Sequence, residues 1–224
     1  MGAQPFLTAI FVCLAAGIAN ADSLSINRVM TICSVLSPDP AYVVDRLLGE
    51  GFDRATLPLD EKTTQGLALI ELGAMWQPTR LKASSPQAEW DEFRSAFEQY
   101  ADSYAARLAE PGMTLLVDPE TGSLLLVRTR SDLTRMTFCA LGVPRSIAVA
   151  SQNFPRLALP REPDVFAVEA TAAGFMASRM TLQEVVVTFD PTAVGERLGT
   201  TFDTAAIFSM LVFAPEWAVA GAAP

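Results

Sequence analysis

Histidine, the residue that most often serves as a general base or a metal ligand, does not occur among the 224 residues of this chain. Catalytic triads that depend on histidine are therefore excluded. The chain has three cysteines, and Cys13 is expected to leave with an apolar N-terminal segment. Because only two cysteines then remain and there is no histidine, we expect no zinc site. We predict no other cofactor.

The two remaining cysteines, Cys33 and Cys139, are predicted to form one disulfide, because we expect the protein to fold in an oxidising compartment. Such a bridge would close a loop of over a hundred residues and stabilise the fold by roughly 4 to 5 kcal/mol. Two separately buried thiols are the alternative. Paired cysteines would leave no thiolate for nucleophilic catalysis.

Serine catalysis with a lysine base and nucleotide binding through a glycine-rich loop both lack their sequence patterns. The only lysines are Lys62 and Lys82, and neither stands three residues after a serine. No G-x-G-x-x-G or G-x-x-x-x-G-K segment occurs. We therefore assign no catalytic residue from these classes.

Carboxylates near tryptophan residues are the remaining route to catalysis. The acids concerned are Glu71, Glu89, Asp91 and Glu92. A glycosidase needs two such acids flanking a sugar-binding cleft. Acids in the first turn of a helix also stabilise its dipole while remaining solvated, and we favour that interpretation. A carboxylate-dependent hydrolase acting on an envelope or extracellular glycan is thus the alternative function.

Arginines are concentrated in one segment of an otherwise acidic chain. Residues 128–161 contain six arginines and a single acid, whereas the whole chain carries a formal charge of −9. Because alternate residues of a strand share a face, Arg128 and Arg130 point the same way. With Arg135 they form a candidate surface for an anion or a protein partner, and ordinary solvated arginines are the alternative. Nucleic acid is not the expected partner of an acidic exported protein.

The N-terminus has the pattern of a secretory signal peptide. An apolar run over residues 6–18 is followed directly by Ala19-Asn20-Ala21, an A-x-A cleavage signature. The run is shorter than the roughly 20 residues that span a membrane. We predict a signal peptide over residues 1–21, although residues 1–5 contain no Lys or Arg. Arginine outnumbers lysine by 14 to two, which suggests a high-GC bacterial host and hence a periplasmic or secreted protein.

Short internal similarities suggest a tandem duplication. A Met-Thr-x-Cys segment precedes a proline by five residues at Cys33 and again at Cys139. Since such short matches also arise by chance, duplication and coincidence both stay open. The corresponding division is a helix-rich module over 22–130 and a strand-rich module over 131–224, together forming one compact unit.

The order of the predicted elements indicates the fold class. Helices are expected near 39–49, 60–76, 85–108 and 191–198. Strands are expected near 28–36, 113–117, 123–129, 133–141, 165–170, 182–189 and 206–213. This pattern predicts an α+β fold in which a mostly antiparallel sheet is packed by an amphipathic helix. We expect an exported, non-catalytic binding or accessory protein that recognises an unidentified ligand or envelope partner through its arginines.

Overall fold

The computed structural model describes residues 25–37, 39, 41–75, 86–130, 134–150, 166–175 and 180–215. The predicted signal peptide, Trp76, Arg156 and Arg161 lie outside the described residues. No helix within these described ranges combines the length and the hydropathy that crossing a membrane requires.

Six helices and seven strands make up the described fold, and the predicted α+β class is confirmed. The helices are α1 (Ile26–Cys33), α2 (Tyr42–Gly49), α3 (Glu61–Met75), α4 (Pro86–Leu108), α5 (Arg145–Ala150) and α6 (Pro191–Leu198). The strands are β1 (Asp53–Arg54), β2 (Met113–Val117), β3 (Leu124–Arg130), β4 (Thr134–Pro144), β5 (Phe166–Phe175), β6 (Met180–Phe189) and β7 (Thr204–Pro215).

The strands form one antiparallel sheet in the order β1-β2-β3-β4-β7-β6-β5. Strand β4 pairs with β3 on one side and with β7 on the other, so both predicted modules contribute to the same sheet. The two Met-Thr-x-Cys segments differ in structure, because the first lies in α1 and the second in β4. The duplication itself stays a prediction.

Helices cover both faces of the sheet. Helices α1, α2 and α5 pack on one face, which we call the α1 face. Helices α3, α4 and α6 pack on the other, which we call the α3 face. Because the central strands are buried on both sides, their sequences are almost continuously apolar instead of alternating.

The predicted strand over residues 28–36 is wrong, since most of that segment is helix α1. Its buried residues Ile26, Val29 and Cys33 recur at helical spacing, and the Ser25 hydroxyl accepts a hydrogen bond from the first-turn backbone. The β-branched residues of the segment favoured a strand, but packing of the apolar helix face against the sheet decides the structure.

The predicted disulfide between Cys33 and Cys139 is confirmed, and the alternative of two free thiols is excluded. Their Cα atoms are 6.0 Å apart and both residues are fully buried. The bond therefore fixes the end of α1 to the middle of β4 on the α1 face.

Helix α3 lies close to the sheet because a glycine stands on each side of the contact, Gly73 on the helix and Gly142 on β4. A Cβ atom added at Gly73 would stand 2.6 Å from Cδ1 of Ile207, and one at Gly142 would stand 2.6 Å from Cγ1 of Ile70. The Ile70 side chain of α3 thus fills the space over Gly142, and Ile207 of β7 fills the space beneath Gly73. Asp60 begins the helix as predicted, its Oδ1 accepting a hydrogen bond from a first-turn N–H at 2.7 Å.

Helix α4 confirms the element with the clearest sequence signal. Trp90, Phe93, Phe97 and Tyr104 recur at spacings of three, four and seven residues and are all buried on the α3 face. These aromatic side chains are therefore part of the core.

Candidate functional site

One row of cross-strand partners on the α3 face has polar ends and an apolar centre. Arg128 of β3 lies opposite Phe138 of β4, Phe138 opposite Leu211 of β7, and Leu211 opposite Gln183 of β6. Since neighbouring strands are about 4.8 Å apart, the row spans roughly 14 Å between its terminal Cα atoms. We call these four residues the floor row.

A pocket of about 220 Å³ lies over the floor row and beneath the C-terminal half of α3. Besides the floor row, the described lining residues are Glu71, Ala74, Met75, Met136, Val185 and Ser209. This volume is below the range of about 300 to 1,000 Å³ typical of drug-sized ligands, so the pocket suits a smaller molecule. Its mixture of apolar side chains and a few polar groups is typical of ligand sites.

Two methionines give the pocket walls that can adapt to a ligand. Met75 of α3 is partly exposed, and Met136 lies on β4 next to Phe138 on the same face. Unbranched thioether side chains adjust their rotamers at low cost and fill irregular space. The pocket can therefore accommodate apolar groups of somewhat different shape.

Arg128 is the positively charged residue at the β3 end of the floor row. One of its Nη atoms lies 3.4 Å from Oε2 of Glu110, and the two side chains are 32% and 47% exposed. An ion pair this long and this exposed contributes little stability. The guanidinium can therefore exchange it for a bidentate contact with a ligand carboxylate at small cost.

Glu71 brings a buried carboxylate to the pocket from helix α3. The residue is 1% exposed, and its Oε1 accepts a hydrogen bond from Nη2 of Arg107 on α4. The Arg107 guanidinium in turn lies 4.4 Å from the ring centroid of Tyr100. Removing a carboxylate from water is costly unless it is paired, so Arg107 is what allows Glu71 to be buried here.

Tyr104 of α4 is fully buried and interacts with the same carboxylate. Burial, together with the neighbouring Glu71 carboxylate, raises the pKa of Tyr104 far above its ordinary value of 10.0. A side-chain hydrogen bond with Glu71 contributes to this rise in pKa.

The structure brings together only part of the predicted arginine surface. Arg128 and Arg130 share the α3 face as predicted, but only Arg128 is among the described residues that line the pocket. Arg135 alternates with Thr137 and Cys139 on the opposite, α1 face of β4. The three arginines therefore do not form one continuous surface.

Of the candidate glycosidase acids, Glu71 is buried on α3 and Asp91 and Glu92 are exposed on α4, whereas the side chain of Glu89 lies outside the described part of the chain. Asp91 forms an exposed ion pair with Arg94 at 2.8 Å, and Trp90 is buried against Phe93 instead of facing a cleft. Of the pocket residues that the structure describes, Glu71 is the single acid. Within the same described ranges, no group of three Cys, Asp or Glu residues is arranged to hold a metal ion.

Sequence reasoning singled out Glu71 and Arg128 but missed Gln183 and Ser209. The signal that could have found Gln183 is its position in β6, where it precedes an uninterrupted run of buried valines. A strand covered on both faces rarely carries an uncharged polar residue, so Gln183 indicated a polar position on one face of β6.

Comparisons with known proteins assign no function to this chain, so any function is inferred from the geometry of the pocket. No protein-family model matches this chain, and no curated protein or solved structure is detectably similar to it.

Proposed function

We propose that this protein is an exported, non-catalytic binding protein that holds a small amphipathic anion in the pocket over the floor row. The observation that carries this proposal is the single row in which a guanidinium, two apolar side chains and an amide follow one another across four strands. Such an arrangement matches a molecule with an anionic head and a short apolar body.

Arg128 is the proposed contact for the anionic head. Its planar guanidinium can donate two parallel hydrogen bonds to a carboxylate. Its present partner Glu110 is nearly half exposed and returns to water without a desolvation cost when the ligand binds. Binding thus replaces the exposed ion pair between Arg128 and Glu110 with an ion pair between Arg128 and the ligand that is better shielded from water.

Phe138 and Leu211 are the proposed contacts for the apolar body. Each methylene transferred from water to such surroundings contributes about 0.8 kcal/mol, which corresponds to about fourfold in the dissociation constant. Affinity should therefore rise about fourfold for each added methylene until the pocket is filled.

The chemistry of the lining supports binding over catalysis. Among the described residues that line the pocket, Glu71 is the only one with a carboxylate, and Arg107 already pairs with it. A general acid and base pair of the glycosidase kind needs a second acid facing the first. Export is supported by the buried Cys33–Cys139 bond, because structural disulfides persist mainly in oxidising compartments.

Calorimetric titration with hexanoate tests the site, with Arg130→Gln as the matched control for Arg128→Gln. Both arginines lie on the same strand and face, but only Arg128 lines the pocket. We expect Arg128→Gln to weaken hexanoate binding by about tenfold or more, since a charge-assisted contact is lost, and Arg130→Gln to change it by less than about twofold. Equal effects of the two substitutions would show that hexanoate responds to general charge, and the proposed site would be wrong.

The mass of the intact protein purified from the periplasm of a bacterial host tests export. The proposal expects a chain that begins at Asp22 and contains no free thiol before reduction. A mass that retains Met1 would overturn it.

A further inference from the structure

Gln183 is a polar residue on a strand face whose next positions are apolar. It precedes Val185 and Val187 on the α3 face of β6, and both valines are buried in the core. The Gln183 side chain is only partly buried and lines the pocket. Within the described part of the chain, its side-chain amide forms no hydrogen bond. The amide therefore keeps its donors and its acceptor available to a molecule in the pocket.

The other polar side chains of the lining, apart from Arg128, already have partners. The Ser209 hydroxyl donates a hydrogen bond to the carbonyl oxygen of Val185 at 3.2 Å. The Glu71 carboxylate is buried and pairs with Arg107. Among the described lining residues, Gln183 is therefore the one that can offer a ligand a second polar contact.

We propose that Gln183 is the specificity-determining residue of the pocket and binds a neutral polar group at the end of the ligand farthest from its carboxylate. This inference rests on the proposed function and narrows its ligand class. The ligand is then a linear carboxylate that carries a hydroxyl or a primary amide group at its other end. Arg128 contacts the carboxylate, and Gln183 contacts the neutral group.

The register of the sheet determines where along the ligand the neutral group must lie. Between Arg128 and Gln183, the floor row crosses β4 at Phe138 and β7 at Leu211. All four residues line the same pocket, so one extended ligand can contact the whole row. A polar group in the middle of the ligand would lie against the apolar side chains and lose its hydrogen bonds with water. A polar group therefore favours binding only at the far end.

The chemistry of the Gln183 side chain favours a neutral group over a second charge. A carboxamide both donates and accepts hydrogen bonds, so it can pair with a hydroxyl in either direction and with another amide through two reciprocal bonds. It carries no charge that would compensate an ammonium or a second carboxylate removed from water. Arg128 is the single positively charged residue among the described lining residues, and it lies at the other end of the floor row.

The first test compares hexanoate, octanoate and decanoate with the same three acids carrying a hydroxyl group on the last carbon. Each compound is titrated calorimetrically into the full wild-type protein. On a chain too short to reach Gln183, the hydroxyl group lies against apolar side chains and should weaken binding by about tenfold relative to the plain acid. On a chain that reaches Gln183, it gains a hydrogen bond and should strengthen binding by about threefold to tenfold.

The outcome separates this inference from the proposed function. If the plain acids bind and no hydroxy acid binds more tightly than the plain acid of the same length, this inference is wrong while the proposed function stands. A hydroxyl group that merely reaches bulk water beyond the pocket gives that result, because it gains nothing over its state in solution. If none of the compounds binds, the proposed function is wrong and this inference with it.

The variant Gln183→Met then assigns the effect to the amide. Methionine has an unbranched side chain of similar length, but its thioether is only a weak acceptor and donates no hydrogen bond. We expect the advantage of the hydroxy acid to disappear in this variant, while the plain acid of the same length changes by less than about threefold. An advantage of undiminished size would overturn the assignment.

Glu184→Gln is the matched control on the same strand. Glu184 follows Gln183 directly but lies on the α1 face, where its partner on β7 is Met210. The advantage of the hydroxy acid should be the same in this variant as in the wild type. Its loss in both variants would show an indirect effect of altering β6, and the inference would be wrong. Because the wild-type comparison needs no substitution, a folding defect in either variant does not remove the test.

Discussion

Replacing both cysteines by alanine should reveal how much of the stability depends on the bond between α1 and β4. The bond joins positions separated by 106 residues. In the chain-entropy treatment, closing a loop of that length in the unfolded state stabilises the fold by about 4.8 kcal/mol. Because this is comparable to the whole stability of many domains, the Cys33→Ala/Cys139→Ala protein should be only marginally folded.

The assay is equilibrium unfolding in urea, followed by circular dichroism under non-reducing conditions. We expect the free energy of unfolding to fall by about 4 to 5 kcal/mol and the thermal midpoint to fall by about 10 to 20 °C. The dependence of the free energy on urea concentration should become steeper, because the unfolded chain without the bond is less compact.

The single variants separate the cross-link from local packing. Either Cys33→Ala or Cys139→Ala already abolishes the bond, so the double variant should be no more than about 1 kcal/mol less stable than each single one. If the losses in the two single variants instead add up in the double variant, packing at two independent sites explains them. A total loss below about 1 kcal/mol would refute the loop-closure reasoning altogether.

Three further substitutions test how α3 is held. The carboxylate of Asp60 has a pKa below its ordinary value of 3.8 because backbone N–H groups donate hydrogen bonds to it. The ionised carboxylate therefore stabilises the fold above pH 3.8, and this stabilisation is lost as the pH falls through the lower pKa of the folded state. The urea midpoint of Asp60→Ala should thus lie below that of the wild type at neutral pH and converge with it in acid. Gly142→Ala should cost about 1 to 3 kcal/mol in urea unfolding, because its methyl group would overlap a side chain of α3. Arg107→Ala should lower the free energy of unfolding by about 3 kcal/mol, because it leaves Glu71 buried without its ion-pair partner. Arg94→Ala breaks an exposed pair and should have little effect. If Arg107→Ala costs as little as Arg94→Ala, this explanation is wrong.

Local patterns were sufficient to predict most of the elements. The aromatic spacing of α4 and the turn-bounded strands β2, β3 and β4 were evident because their signals lie within a few residues. The error at α1 arose where β-branched residues and helical spacing gave conflicting signals. Helix α3 was predicted in spite of Gly66 and paired threonines, whose low helix propensity is outweighed by its burial against the sheet.

The candidate site was predictable only in part, because its geometry depends on pairings between distant segments. The sequence indicates that Arg128 and Arg130 share a face, but it does not indicate that β7 lies between β4 and β6. That order is what places Gln183 in line with Arg128. The opposite orientation of Arg135 follows from the same register, since a shift of one residue changes the face of every side chain in a strand.

Because α3 packs closely on the sheet, the height of the pocket depends on residues other than those that line it. The roof is formed by Glu71, Ala74 and Met75 of α3, and its height above the floor row is set within the same turns, where Ile70 meets Gly142 and Gly73 meets Ile207. A larger residue at either glycine would move this end of the helix away from the sheet. The range of ligand sizes can therefore change, in related chains or in the laboratory, through positions that no ligand touches.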